Sequence, residues 1–155
     1  MPTKKPDPAP VRQRSDHAAE NAEDYVELIA DLQVEVGAAH KSDIARRLGV
    51  SHVTVHKTIN RLKSLGLVQA ESYRAVALTD EGAAMARESR ARHELVLKFL
   101  RALGVPKEPA ELDAEGIEHH VSPETLKVME KFCRAVERDG VYKPPSRRGG
   151  RSKPA

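Results

Sequence analysis

Glu115, Glu118 and His119 fall within one short segment, Asp113-Ala114-Glu115-Gly116-Ile117-Glu118-His119-His120. On a helix turning about 100° per residue, Glu118 and His119 each lie within roughly 40–60° of Glu115, so two carboxylates and an imidazole share a face. Such a set is half of a binding site for a divalent cation. His120, about 140° from Glu115, points elsewhere and reads as structural or solvent-facing. Further donors lie upstream. Asp24 and Glu27 form a carboxylate pair at spacing three, and His93 sits in the apolar stripe Ala86, Ser89, His93, Val96, Leu100, Leu103. Taken singly, such a carboxylate pair is the ordinary pattern of a solvated helix face, and such an imidazole is ordinarily a hydrogen-bonded core histidine. Taken together, Asp24, Glu27, Glu115 and Glu118 carry four negative charges. Two divalent cations balance them, with His93 and His119 as neutral donors. The set is rich in oxygen, has two imidazoles and lacks sulfur, which favours Mn(II) or Fe(II) over a thiolate zinc site. The expectation is a six-ligand binuclear site holding two divalent ions per subunit.

A second chemistry lies in residues 42–65, SDIARRLGVSHVTVHKTINRLKSL. A short helix carrying Ala45, a glycine turn at Gly49 and a second helix with Val55, Ile59 and Leu62 inward have helix-turn-helix form. Ala45 allows the two helices to cross closely, and Gly49 relieves the backbone in the turn. The outer residues Ser51, His52, Thr54, His56 and Lys57 are small or polar and suited to base edges. Arg47, Lys57, Arg61 and Lys63 are suited to phosphates. Leu67 to Leu78 reads as strand, polar turn and strand, a wing with Arg74 near its tip against the DNA backbone or minor groove. A packed helical hairpin with solvated basic residues is the plain alternative, and the adjoining wing argues against it. His52 and His56, four apart, have chelating spacing, but no third ligand is near in sequence and ordinary polar contacts fit them better.

The elements that must position these residues follow from the rest of the chain. A chain of 155 residues, 39% hydrophobic and only 3% aromatic with no Trp, has room for one ordinary domain or two small ones and argues against an aromatic ligand pocket. Cys133, the one cysteine, excludes a disulfide framework and a multi-cysteine zinc site, and suits a reducing compartment. No apolar run spans a bilayer and the N-terminus has no signal-like apolar region, so the expectation is a soluble, cytoplasmic protein without a membrane partner.

Charge is unevenly spread. Residues 17–40 hold six carboxylates and no Lys or Arg, whereas 41–74 hold seven basic and two acidic groups, and 104–142 five basic and nine acidic. A basic middle between acidic flanks suits one surface for a polyanion and another for cations. The Pro-rich, charged ends read as disordered basic arms, 1–15 and 143–155.

Apolar spacing predicts a helix from about Asp16 to Val36 (Tyr25, Leu28, Ile29, Leu32, Val36) ended by Gly37, then a short helix capped by Ser42 and stopped by Gly49. A third follows over about 51–64. Thr79 caps a long helix to about Leu103. A helix near 108–120 comes next, then one from Ser122-Pro123 to about Asp139. The fold class is mainly α, with an N-terminal winged helix-turn-helix DNA-binding domain over 16–79 and a helical metal-binding and dimerisation domain over 80–142.

These blocks resemble the diphtheria toxin repressor family of metal-dependent transcription factors, on its manganese-responsive branch. The resemblance covers about residues 20–140. It rests on AEDYVELIADL, KSDIARRLGVSHVTVHKTINRLKSLGLV, SYRAVALTDEG, RHELVLKFLRALGV and DAEGIEHHVS. It implies metal ligands at Asp24, Glu27, His93, Glu115, Glu118 and His119. Iron-selective members often carry a thioether and a thiol at the positions matching Asp24 and Glu115, and carboxylates there point to manganese. The resemblance also implies a homodimer on a palindromic operator in double-stranded DNA, repressing metal-uptake genes when Mn(II) is plentiful. Ile117, Val121, Leu126, Val128, Met129, Phe132 and Val136 are candidates for its apolar interface. The β-barrel third domain of longer relatives is not expected.

Two other readings compete. One is a winged-helix regulator that senses Fe(II) or a non-metal ligand. The other is a helical di-metal carboxylate enzyme, which needs Glu-x-x-His on two helices. Here Glu115 and His119 are four apart, and no second such motif lies near His93. His-Glu-x-x-His, Gly-x-Ser-x-Gly and phosphate-loop glycine patterns are absent, so the chain is not expected to be an enzyme.

Overall fold

The computed structural model describes residues 11–140, with side chains described from residue 17 onward. The element order is α1 (Val11–Val36), α2 (Lys41–Leu48), α3 (His52–Ser64), β1 (Val68–Gln69), β2 (Ala77–Leu78), α4 (Asp80–Ala102), α5 (Lys107–Ile117), a 3-10 turn (Glu118–His120) and α6 (Pro123–Asp139). Helix α1 begins at Val11 rather than near Asp16, so the expected N-terminal arm of 1–15 is helical in its last residues. After Pro10 no proline or glycine interrupts the chain before Gly37, so nothing stops the helix from extending back to that proline. The remainder of that arm and the expected arm of 143–155 lie outside the described residues.

Two compact units divide between Arg92 and His93, inside α4. The first part of α4 belongs with the winged helix because Ala86 is buried in that unit's core and Met85 packs against it.

In the first unit the apolar stripe of α1 (Tyr25, Val26, Ile29, Leu32) shares a core with Ile44 and Ala45 of α2, Val55, Ile59 and Leu62 of α3, and Leu67, Val68 and Val76 of the hairpin. Val36 does not join this stripe and is 65% exposed, since it is the last residue of α1. Helix α2 ends on Gly49, whose φ of +64° is the left-handed conformation glycine adopts without Cβ strain. The α2 cap differs from expectation. The helix starts at Lys41, and the His40 carbonyl accepts from the Asp43 and Ile44 N–H groups. Ser42 lies inside the first turn. The start is set by a non-local pairing: the Ala39 carbonyl accepts from the Val76 N–H at 2.7 Å, fixing an extended residue just before the helix.

The strands pair antiparallel, Val68 with Leu78 and Gln69 with Ala77. The Thr79 hydroxyl accepts from the Gly82 N–H at 3.1 Å and donates to the Gly66 carbonyl at 2.6 Å, capping α4 and holding it at the hairpin base. A Cβ on Gly82 would stand 2.0 Å from the Leu67 carbonyl oxygen, so only glycine permits this approach.

The second unit packs the later part of α4 with α5, the 3-10 turn and α6. Val96, Ala110, Ala114 and Cys133 are buried, and Phe99 meets Phe132 edge-on with ring centroids 5.2 Å apart. Ser122 caps α6 by accepting from the Thr125 N–H at 3.2 Å, with Pro123 in the first turn, as its sequence predicts. Among the described residues no helix is long and apolar enough to cross a membrane.

Candidate metal centre and nucleic-acid interface

His93 is the first residue of the second unit, and α4 turns it toward the end of α5. Its Nδ1 lies 2.6 Å from Oε2 of Glu118 and 3.7 Å from Oε1 of Glu115. His119 Nε2 stands 3.4 Å from the other Glu118 oxygen. The helix ends early, so Glu118 and His119 occupy the 3-10 turn rather than the α-helix assumed from spacing. The tighter turn swings Glu118 inward, where it is 3% exposed while Glu115 stays in solvent. Burial pushes the Glu118 carboxyl above the ordinary carboxylate range, and the adjoining His93 and His119 pull it partly back. His120 is exposed, as its helical phase predicts.

His93, Glu115 and Glu118 each offer a donor atom, and these atoms all lie within 4.8 Å of one another. Two donors on one ion with bonds of about 2.0–2.2 Å cannot be more than about 4.4 Å apart. The His93 pairs, at 2.6 and 3.7 Å, lie inside that limit, and the exposed Glu115 side chain can close further by rotation. A buried carboxylate against imidazoles, with a second carboxylate at its mouth, therefore fits a divalent cation of the oxygen- and nitrogen-preferring kind. Asp24 and Glu27 belong to the first unit, one turn apart on α1, the former exposed and the latter half-buried.

The residues expected to meet DNA are all in the first unit. Ser51 caps α3, its Oγ accepting from the Thr54 N–H at 3.1 Å, and His52, Thr54, His56 and Lys57 are exposed along the same helix. His56 Nε2 and the Asn60 side-chain amide are 3.1 Å apart. Arg47 pairs with Glu35, and Arg74 with Glu71 at 3.2 Å; both are exposed pairs that an incoming phosphate can displace. Lys63 donates to the Ala70 carbonyl at 3.1 Å and keeps its other N–H donors for solvent.

Arg61, expected at a phosphate, has its guanidinium engaged within the unit. It is half-buried, and its Nη2 donates to the Ala18 carbonyl at 2.9 Å and to Asn21 Oδ1 at 3.3 Å. Next to the buried Leu62, it lies on the side of α3 that faces α1, which helical phase alone does not reveal.

A winged helix-turn-helix unit joined to a helical unit with a carboxylate–imidazole cluster defines the class of metal-dependent transcriptional regulators. Residues 17–76 match the family profile "Iron dependent repressor, N-terminal DNA binding domain" and residues 79–144 match "Iron dependent repressor, metal binding and dimerisation domain". The "Transcriptional regulator MntR" of Salmonella typhimurium is 54% identical over 119 residues, 77% of this chain and 76% of that protein. The "HTH-type transcriptional regulator MntR" of Bacillus subtilis is 37% identical over 121 residues, 78% of this chain and 85% of that protein. A solved "Manganese-dependent transcriptional repressor complex with manganese" superposes with a TM-score of 0.65 at 31% identity, covering 73% of this chain and 52% of that one. The chain thus spans about half the length of that solved relative. It belongs to the iron-dependent repressor family, and within it to the MntR group of transcriptional regulators.

Proposed function

We propose that this protein is a manganese-responsive DNA-binding repressor of metal-uptake genes, cytoplasmic and not an enzyme, acting as a homodimer on a palindromic operator. The observation that carries the reading is the His93–Glu115–Glu118 cluster, with its buried carboxylate, in the same chain as a winged helix. We assign Mn(II) to Glu115, Glu118, His93 and His119, with Asp24 and Glu27 as further ligands on the strength of the sequence resemblance, two ions per subunit in all. When bound, the ion supplies the positive charge that the buried carboxylate otherwise lacks. Glu118 is held dry and aimed by the His93 hydrogen bond, so it is ready to bind without reorganising; Glu115 is exposed and closes from solvent.

On the other unit, Ser51, His52, Thr54, His56 and Lys57 face the major groove, while Arg47, Lys63 and Arg74 hold backbone phosphates. Arg61 is left as a scaffold residue. Val128, 65% exposed on α6, and the half-buried Leu126 and Met129 supply the apolar dimer face, whereas Phe132 is partly spent on Phe99. Metal binding and DNA binding are coupled by linkage, typically by about 1–3 kcal/mol.

Operator binding measured with Mn(II), Fe(II), Zn(II) and chelator, with bound metal counted per subunit, tests this. Mn(II)-stimulated binding that Glu115→Ala abolishes is the expected result. Affinity indifferent to chelator overturns the reading in favour of a regulator that senses no metal.

A further inference from the structure

Between residues 17 and 36, helix α1 carries six carboxylates, Glu20, Glu23, Asp24, Glu27, Asp31 and Glu35, and no Lys or Arg. Three of them are met by arginines of other elements: Glu35 by Arg47 of α2, Asp31 by Arg90 of α4, and Glu23 by Arg92 of α4. Asp24 and Glu27 are the two assigned above to metal. The two bridges from α1 to α4 differ in their surroundings. In Arg90–Asp31 the side chains are 47% and 45% exposed, so water screens the pair and it contributes little. In Arg92–Glu23 they are only 23% and 20% exposed, with Nη2 2.7 Å from Oε2. Both Nε and Nη2 of Arg92 are buried. A guanidinium so far out of water is costly without its carboxylate, so this bridge is the one that holds the two helices in fixed register.

Its place in the chain connects it to the metal donors. Glu23 directly precedes Asp24, and Glu27 follows one turn later, roughly 40° from Glu23 and 60° from Asp24 around the helix axis. Arg92 is the last residue of the first unit and is bonded to His93, whose ring meets Glu118 at 2.6 Å. One ion pair therefore fixes the rotation of the α1 turn that bears two assigned donors, and anchors the α4 residue beside a third. It also occupies Glu23, which would otherwise compete with Asp24 as a ligand. Charge alone gives Arg92 no reason to be there, because a cation next to a metal site repels the ion.

We propose that Glu23 and Arg92 are positioning residues for the second Mn(II): their ion pair holds the Asp24–Glu27 turn ready, so that its donors need no reordering when the ion binds. The proposal rests on the manganese-responsive reading above and adds to it two residues that touch no ion.

The test uses the full-length protein with Mn(II) alone as the probe. Calorimetry gives the affinities, metal is counted per subunit, and thermal melts in chelator confirm folding. Glu23→Gln and Arg92→Gln are each expected to weaken the second Mn(II) by about 10–100-fold, the usual effect of losing a group that orients a ligand. The double variant is expected to lose no more than the worse single one, since both changes remove the same device. Arg90→Gln, which breaks the exposed bridge between the same helices, is expected to stay within about twofold of the wild type. If Arg92→Gln does not fold, Arg92→Lys carries the test with the same expected direction, since it keeps the charge and loses the planar fork. A lowered Tm in chelator with unchanged Mn(II) affinity overturns the proposal, because the pair is then structural only. Tighter Mn(II) binding in Arg92→Gln also overturns it, because Arg92 then acts only as a repelling charge. A wild type that takes up no Mn(II), or a single ion, overturns the metal assignment on which the proposal rests.

Discussion

Replacing Glu118 by glutamine separates a metal ligand from a structural carboxylate. Both Glu118 oxygens are engaged, Oε2 at 2.6 Å from His93 and Oε1 at 3.4 Å from His119. A glutamine of the same shape can accept from one imidazole through its carbonyl and donate to the lone pair of the other through its amide, so the metal-free fold should persist. The amide nitrogen cannot coordinate, and the site loses its buried negative charge. Loss of an outer-shell partner alone typically costs 10–100-fold in metal affinity, so loss of a buried ligand should cost about 100-fold or more. At free Mn(II) of 100 times the wild-type Kd, linkage adds about 2.7 kcal/mol to folding stability, and a 100-fold weaker site leaves about 0.4 kcal/mol. At about 4 °C per kcal/mol for a domain of this size, the Mn(II)-dependent rise in Tm should fall from about 11 °C to about 2 °C. Thermal melts of both proteins in chelator and in Mn(II) measure it. A wild-type rise in Glu118→Gln would refute the assignment of Glu118 as a ligand.

Two further outcomes follow from the same geometry. Mn(II) binding should weaken as pH falls, because ligands must be deprotonated and burial already holds the Glu118 carboxyl above the ordinary range; the proton then competes from a higher pH than at a solvated glutamate. A calorimetric affinity that stays flat from neutral pH to about 5 would count against carboxylate–imidazole coordination. Arg61→Met should lower stability by about 1 kcal/mol through loss of a charge-assisted hydrogen bond to the Ala18 carbonyl, a figure discounted for partial exposure, and should leave the salt dependence of DNA binding unchanged. Undiminished stability with a shallower salt slope would return Arg61 to the phosphates.

What the sequence makes legible here is what is decided locally. Gly49 at φ +64°, Ser51 bonded to the Thr54 N–H, and Ser122 with Pro123 at the start of α6 all lie where their types alone place them. A cap or a stop depends on three or four neighbouring residues. The same holds for the periodic core positions Tyr25, Ile29, Val55, Ile59 and Leu62, each buried as its spacing implies. The features that local patterns do not reveal are all non-local. Lys41 rather than Ser42 opens its helix because Ala39 is bound by Val76, which lies 37 positions later. The Arg61 guanidinium meets a carbonyl of α1, 43 residues upstream. Division of the chain inside α4 follows from Ala86 packing into a core assembled from four other elements. The 3-10 turn at Glu118 is the instructive case. Spacing put the expected donors on one α-helix, whereas Glu118 and His119 stand on the 3-10 turn, and so it concealed that one carboxylate is buried while its neighbour is not.

That asymmetry bears on how the centre works. A carboxylate taken out of water is costly unless something charged or hydrogen-bonding meets it, and Glu118 is met by two imidazoles. These imidazoles are its partners in the structure, and an ion bound there would be met by the carboxylate and the rings together. The second unit contributes Glu115 and Glu118 as anions and His93 and His119 as neutral donors, a charge of −2 that one divalent ion balances. On the proposed assignment a second ion would need further anionic donors, the role proposed above for Asp24 and Glu27. Selectivity among metals cannot come from affinity, because Mn(II) is the weakest of these first-row ions for any given N/O site. It must come from donor type and geometry. The exposed Glu115 oxygen, the one donor that must move to close on the ion, is then the position where exchanging a hard donor for a soft one alters the preferred metal with the least disturbance to the packed core.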